Sequence, residues 1–184
     1  MLAFEVDDAF TDTGFHFTSK TGGEIDLGTT HQRMKWLSSG WTDSNVTATN
    51  DAANAQGLRG TVRGAWPATL EVTSGVVDGA QSVTNCGVQF TGWVTLAKSG
   101  AGVHRMVKRD YASYGDVEVS GGRLEFDAGA TWRNGTNVTV RGAGTLKVGS
   151  AGTFRDDVRV VAEGAGWKLD LTGVQKAESF EVDG

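Results

Sequence analysis

The chain is almost without cysteine and proline: its 184 residues include one of each, Cys86 and Pro67. A single cysteine excludes an intrachain disulfide and any metal site built from paired cysteines. It leaves Cys86 to read as a small apolar core residue. No apolar run reaches the roughly 18 residues that a membrane-spanning helix needs. Basic charge is also scarce. The net charge is −5, and the densest basic stretch is the short one from His104 to Arg109. A nucleic-acid binder carries a basic face, and a protein drawn to anionic lipid carries a basic patch; neither is legible here. The opening residues, Met1 to Asp8, have neither a basic leader nor an apolar stretch behind it, so they do not read as a signal peptide. The expectation is either an intracellular protein or an excerpt of a longer secreted precursor.

Several chemical motifs are missing as well. There is no calcium-binding nonapeptide repeat, EF-hand loop, Walker loop, Gly-x-Ser-x-Gly elbow or His-Glu-x-x-His pair. No metal site and no cofactor are expected from the sequence.

Glycine is abundant, at 27 residues, while hydrophobic residues make up 39% and charged residues 21%. That composition folds, and glycine without a collagen period serves turns. Many turns imply many short elements, hence an all-β chain.

The turns separate a repeat. Val117-Glu118-Val119, Val138-Thr139-Val140, Val158-Arg159-Val160 and Phe180-Glu181-Val182 start about 21, 20 and 22 residues apart. A second track holds Leu124-Glu125-Phe126, Leu146-Lys147-Val148 and Trp167-Lys168-Leu169. A third holds Trp132 and Phe154. Each strand-like run alternates apolar and polar residues, which sends its outer residues to one face and its middle residue to the other. Short β-branched runs joined by glycine turns leave no room for crossover helices. The pattern predicts a right-handed parallel β-helix (β-solenoid) with about 20–24 residues per coil, whose coils bury their apolar faces on one another. The interior columns would be Val117, Val138, Val158 and Phe180, and Leu124, Leu146 and Trp167. Outside, Glu125 beside Lys147 and Arg159 beside Glu181 would attract, and Lys147 beside Lys168 would repel.

Leu70-Glu71-Val72 and Val94-Thr95-Leu96 extend the first track backwards with longer loops. Phe4-Glu5-Val6, Ile25-Asp26-Leu27 and Val46-Thr47-Ala48 read as strands of the same kind, which suggests about eight coils. The chain is expected to form one β-helical domain over residues 1–184, with regular coils over 61–184. Residues 1–60 are irregular and are open to reading as a cap or small sandwich.

The stretch Tyr114 to Trp132, with its Ser120-Gly121-Gly122-Arg123-Leu124-Glu125-Phe126 and Gly129-Ala130-Thr131-Trp132, resembles the strand repeats of bacterial autotransporter passenger domains. Gly142-Ala143-Gly144-Thr145-Leu146-Lys147-Val148 does the same, and the resemblance spans about residues 114–171. It implies a secreted or cell-surface bacterial protein, an adhesin or a passenger-like scaffold, cut from a longer precursor. Pectin-lyase-like enzymes and phage tailspikes share such coils.

Two sets of residues are candidates for chemistry. The cluster His104-Arg105-Met106-Val107-Lys108-Arg109 holds the cations that a β-helical polysaccharide lyase uses as base and as carboxylate neutraliser, so Arg105, Lys108 and Arg109 are the catalytic candidates. Trp36, Trp41 and Trp66, in the less regular half, are candidates for stacking on a sugar face. Trp132 and Trp167 fall on interior tracks and read as core. His16, His31 and His104 read as lone surface or groove residues. The leading expectation is a non-catalytic β-helical module with a glycan or cell-surface ligand, without nucleic-acid binding and without direct membrane insertion. The alternatives are a carbohydrate-active β-helical enzyme, such as a polysaccharide lyase, or a tailspike-like segment.

Overall fold

The structure is a computed structural model and describes residues 1–9, 13–17, 23–39, 60–73, 76–77, 80–81, 83–107, 110–132, 137–172 and 177–183. Among the described residues every regular element is a strand, and the long sheets are parallel throughout. The chain winds as a β-solenoid of about six turns, with three sheets of six, five and seven strands as its faces.

One coil shows the pattern. Gln89–Gly92 lies in the six-stranded sheet, Thr95–Lys98 in the seven-stranded sheet and Val103–Met106 in the five-stranded sheet. The next coil repeats the visit with Asp110–Ser113, Val117–Val119 and Arg123–Phe126. Strands this short carry one or two inward residues each, so a single coil buries little and stability comes from stacking.

The inward residues form columns. One runs Leu70, Leu96, Val117, Val138, Val160, Phe180. Another runs Leu124, Leu146, Leu169. A third holds Ile25, Val62, Phe90, Tyr111, Trp132 and Phe154. Its rings meet edge-on or tilted, with centroids 6.1 Å apart for Phe90 and Tyr111 and 6.0 Å apart for Tyr111 and Trp132. Their polar ends are satisfied in the core. Tyr111 Oη donates to Cys86 O at 2.9 Å, and Trp132 Nε1 donates to Gly115 O at 2.8 Å. Cys86 is buried among them, as its sequence context implied.

The corners need glycine at specific points. Gly122 has a φ of +58°, and a Cβ there would lie 2.4 Å from Gly100 O of the preceding coil. A Cβ on Gly115 would lie 2.1 Å from the Val94 carbonyl carbon. Here the coils touch backbone to backbone, and a side chain would push them apart.

Several expectations need correction. The apolar column passes through Val160, not Val158, and the second column passes through Leu169, not Trp167. Upstream, Leu70 pairs with Leu96, not Val94. Each difference is two residues. Alternation fixes which face a residue takes, and a slip of two keeps that face while changing the partner. The corrected register also removes the repulsive pair, because Lys147 lies beside Asp170. The attraction of Arg159 and Glu181 exists as a diagonal contact, with Arg159 Nε 2.9 Å from Glu181 Oε1.

The coil number is lower than eight. Ile25 pairs with Val62 in the six-stranded sheet, while Leu70 pairs with Gln32 in the seven-stranded sheet. The early coil is therefore long and contains what spacing had divided into two. The first strand is Leu2–Ala3, not Phe4-Glu5-Val6, and Val46-Thr47-Ala48 lies outside the described residues.

Candidate functional site

Lysine and histidine interrupt the interior at one level. Lys98 stands in register between Val72 and Val119, and its side chain is buried. Its ammonium turns into the following corner and donates to the carbonyls of Ser99, Gly100 (3.0 Å) and Thr73 (3.3 Å). Burial lowers its pKa to about 8, partly offset by Glu71. His104 stands in register between Thr84 and Leu124 and is fully buried, with neither ring nitrogen hydrogen-bonded. Burial first, and then the nearby Lys98 charge, lowers its pKa to about 3. His104 is thus not the surface or groove residue expected, because alternation along Val103–Met106 turns it inward with Met106.

Its neighbour Arg105 faces out on the five-stranded sheet and is committed to acids. Arg105 Nε lies 2.8 Å from Glu125 Oε2 and 3.6 Å from Asp127 Oδ1. Arg123 Nη1 (3.1 Å) and Lys147 Nζ (3.9 Å) approach Glu125 Oε1. Burial works against the charge on Glu125, but the hydrogen bonds from Arg105 and Arg123 outweigh it and hold the carboxyl below its usual range. Asp127 moves the other way, raised chiefly by burial. Lys108 and Arg109 lie outside the described residues, as does Trp41. Trp36 sits in register with Gly14, where its ring fills the space a Cβ would need, so it packs on the backbone of the neighbouring strand. Trp66 is 70% exposed, in the turn between Thr61–Gly64 and Thr69–Val72.

A concave polar feature lies on the outer face of the seven-stranded sheet. It is a groove of about 300 Å³ lined in part by His31, Glu71, Ala97, Ser99, Glu118 and Arg141. Ala97 is in register with Glu71 on one side and Glu118 on the other, so a small residue forms the floor between two carboxylates. Glu71 accepts from Arg33 Nε at 3.0 Å and from Ser99 Oγ, and His31 Nε2 lies 3.2 Å from its Oε2. Burial would raise the pKa of Glu71, yet Ser99 and Arg33 together hold it low and keep it ionised. Glu118 pairs with Arg141 at 3.3 Å.

Such a groove offers charged hydrogen-bond partners to a polar ligand. It contains no order of nucleophile, base and orienting group, since Glu71 sits between Ser99 and His31 instead of the imidazole sitting between serine and acid. Among the described residues, no group of three or more His, Cys, Asp or Glu could hold a metal ion.

Of the expected site residues that are described, none of Arg105, Trp36 and Trp66 lines this groove. His31 reads from the sequence as a surface or groove residue and does line it, whereas Glu71 and Glu118 do not stand out as flanking one small residue, because pairing Leu70 with Val94 puts Thr95 where Ala97 stands. The signal was a small outward residue flanked by outward acids on the adjoining coils. Comparison with family models, with curated proteins and with solved structures finds no match for this chain.

Proposed function

We propose that this chain is a non-catalytic β-solenoid module of a secreted or cell-surface bacterial protein, built like a passenger domain and acting as an adhesin or extended scaffold. The observation that carries this reading is how outward charges pair from coil to coil. Arg33 meets Glu71, Arg105 meets Glu125, Arg141 meets Glu118 and Arg159 meets Glu181. Such pairs bind neighbouring coils and spend the cations on structure. A lyase needs a cation open to the substrate carboxylate and a base of lowered pKa. Arg105 is not such an open cation, since its guanidinium faces two acids. The strand repeats over about residues 114–171 support the passenger-like assignment and, with it, the surface location.

A carbohydrate-active enzyme is the second reading, favoured by the pair Glu71 and Glu118 on either side of Ala97. Glycoside hydrolysis needs one carboxyl kept protonated near neutral pH. Glu71 is shifted in the opposite direction. The test is incubation of the folded protein with neutral and acidic polysaccharides, followed by assays for reducing ends and unsaturated uronates. Neither product is expected. Product formation that disappears in Glu71→Gln or Glu118→Gln would establish the enzyme instead.

A further inference from the structure

Backbone hydrogen bonds align one corner across successive coils. The Ala65 amide donates to Gly28 O at 2.6 Å, the Trp93 amide to Gly64 O at 2.8 Å and the Tyr114 amide to Gly92 O at 2.8 Å. Ala65, Trp93 and Tyr114 therefore hold the same position on three consecutive coils, and Trp66 follows Ala65 directly. Trp66 is 70% exposed and Tyr114 is 54% exposed, while Trp93 is half-buried. Large aromatic rings at adjacent levels of one corner are more than isolated exposed residues. This corner leads straight into Thr69–Val72, Thr95–Lys98 and Val117–Val119, whose outer faces carry Glu71, Ala97 and Glu118 of the groove.

We propose that this aromatic corner and the adjoining groove bind a neutral, linear glycan lying along the solenoid axis, with about one pyranose ring per coil. The proposal names the ligand of the module proposed above and rests on that reading only for the absence of turnover. Coils rise by about 4.8 Å, which is close to the length of one sugar unit in an extended chain. A pyranose ring presents C–H groups on its flat face, and these suit the electron-rich face of an indole or phenol. Its hydroxyls would reach carboxylates and a guanidinium, which form stronger hydrogen bonds than neutral groups do.

The charge balance selects for neutrality. Glu71 is compensated by Arg33, and Glu118 by Arg141, so the groove has no excess positive field to hold a polyanion. A protein partner fits less well. A stable protein interface takes about 800 Å² from each side around an apolar centre, whereas here a narrow aromatic edge borders a polar groove.

The test uses calorimetry and tryptophan fluorescence with cellohexaose, mannohexaose and maltohexaose as probes and polygalacturonate as the acidic comparison. At least one neutral hexasaccharide is expected to bind, and its disaccharide should bind at least about tenfold more weakly. Trp66→Ala and Tyr114→Ala should each weaken binding by about tenfold, with the melting temperature unchanged because both side chains are exposed. Trp66→Phe should restore most of the affinity. Failure of all three hexasaccharides to bind, tighter binding of polygalacturonate, or full affinity in both alanine variants would overturn the proposal. Binding accompanied by cleavage would refute the scaffold reading and keep the site. Neither binding nor cleavage would refute the site and keep the scaffold.

Discussion

His104 is the residue whose chemistry most opposes its place. A strand that alternates faces must send one of each adjacent pair inward, and here it sends an imidazole into an apolar column above Leu124. Its pKa falls from 6.5 to about 3 through burial and, second, through Lys98. The unfolded chain therefore binds a proton that the fold excludes between those values, so stability is complete above about pH 6.5 and declines as the pH drops towards 3. Urea titrations at pH 7 and pH 4.5 should show a lower midpoint at the acid value. His104→Leu continues the Leu124 and Leu146 column and removes two unpaired polar atoms. It should stabilise the protein at pH 7 by about 1–3 kcal/mol and flatten the acid decline. A variant with the same slope as the parent would show that another group carries the dependence.

At the scale of strands, the outer ladders hold register where the apolar columns cannot. Glu125 is the clearest case, since it ties Arg105 of the preceding strand to Arg123 of its own strand and faces Lys147 on the next. The residue is only 5% exposed. Glu125→Ala should destabilise by about 1–3 kcal/mol, because it leaves two guanidiniums facing each other without their shared acid. Its depressed pKa adds stability above the usual carboxylate range that is lost as the pH falls through it. In the variant, the urea midpoint should therefore vary less between pH 5 and pH 3. Comparing Glu125→Ala with Glu125→Gln separates the charge from the hydrogen bonds. The groove residues Glu71 and Glu118 belong to the same kind of ladder, each tied to an arginine of a neighbouring strand.

The whole molecule is a one-dimensional stack, and each coil is stabilised by its neighbours. The outermost strand, Ser179–Asp183, has a partner on one side only, and Phe180 and Val182 are 54% and 59% exposed. By contrast, Leu96, Met106 and Val117 in the middle coils are wholly buried. Amide hydrogen exchange should rank accordingly, with Ser179–Asp183 and Leu2–Ala3 exchanging first and Thr95–Lys98 and Val103–Met106 last. Uniform protection from end to end would mean that the stack opens only as a unit.

The sequence by itself determined that the chain is all-β, that short strands repeat about every 21 residues, and which residues face inward in the apolar runs it marks as strands, though not in Val103–Met106, where His104 is inward. Period-two alternation and glycine turns are local properties, visible without any partner. Trp132 and Phe154 were legible as one column because both are large and their spacing matches the repeat. Spacing also places Val117 beside Val138 and Leu124 beside Leu146, but the tertiary structure alone decided that Leu96 lies beside Leu70 and Val160 beside Val138. A shift of two residues leaves every face unchanged, and only packing of complete coils distinguishes Val160 from Val158 or Ala97 from Thr95. The candidate site depends on that choice. Trp66 could be seen as an aromatic residue in a turn, but its place one residue past the position that Trp93 and Tyr114 share is hidden by coils of unequal length. Loop lengths vary without disturbing the stack, so sequence distance does not measure position along the solenoid.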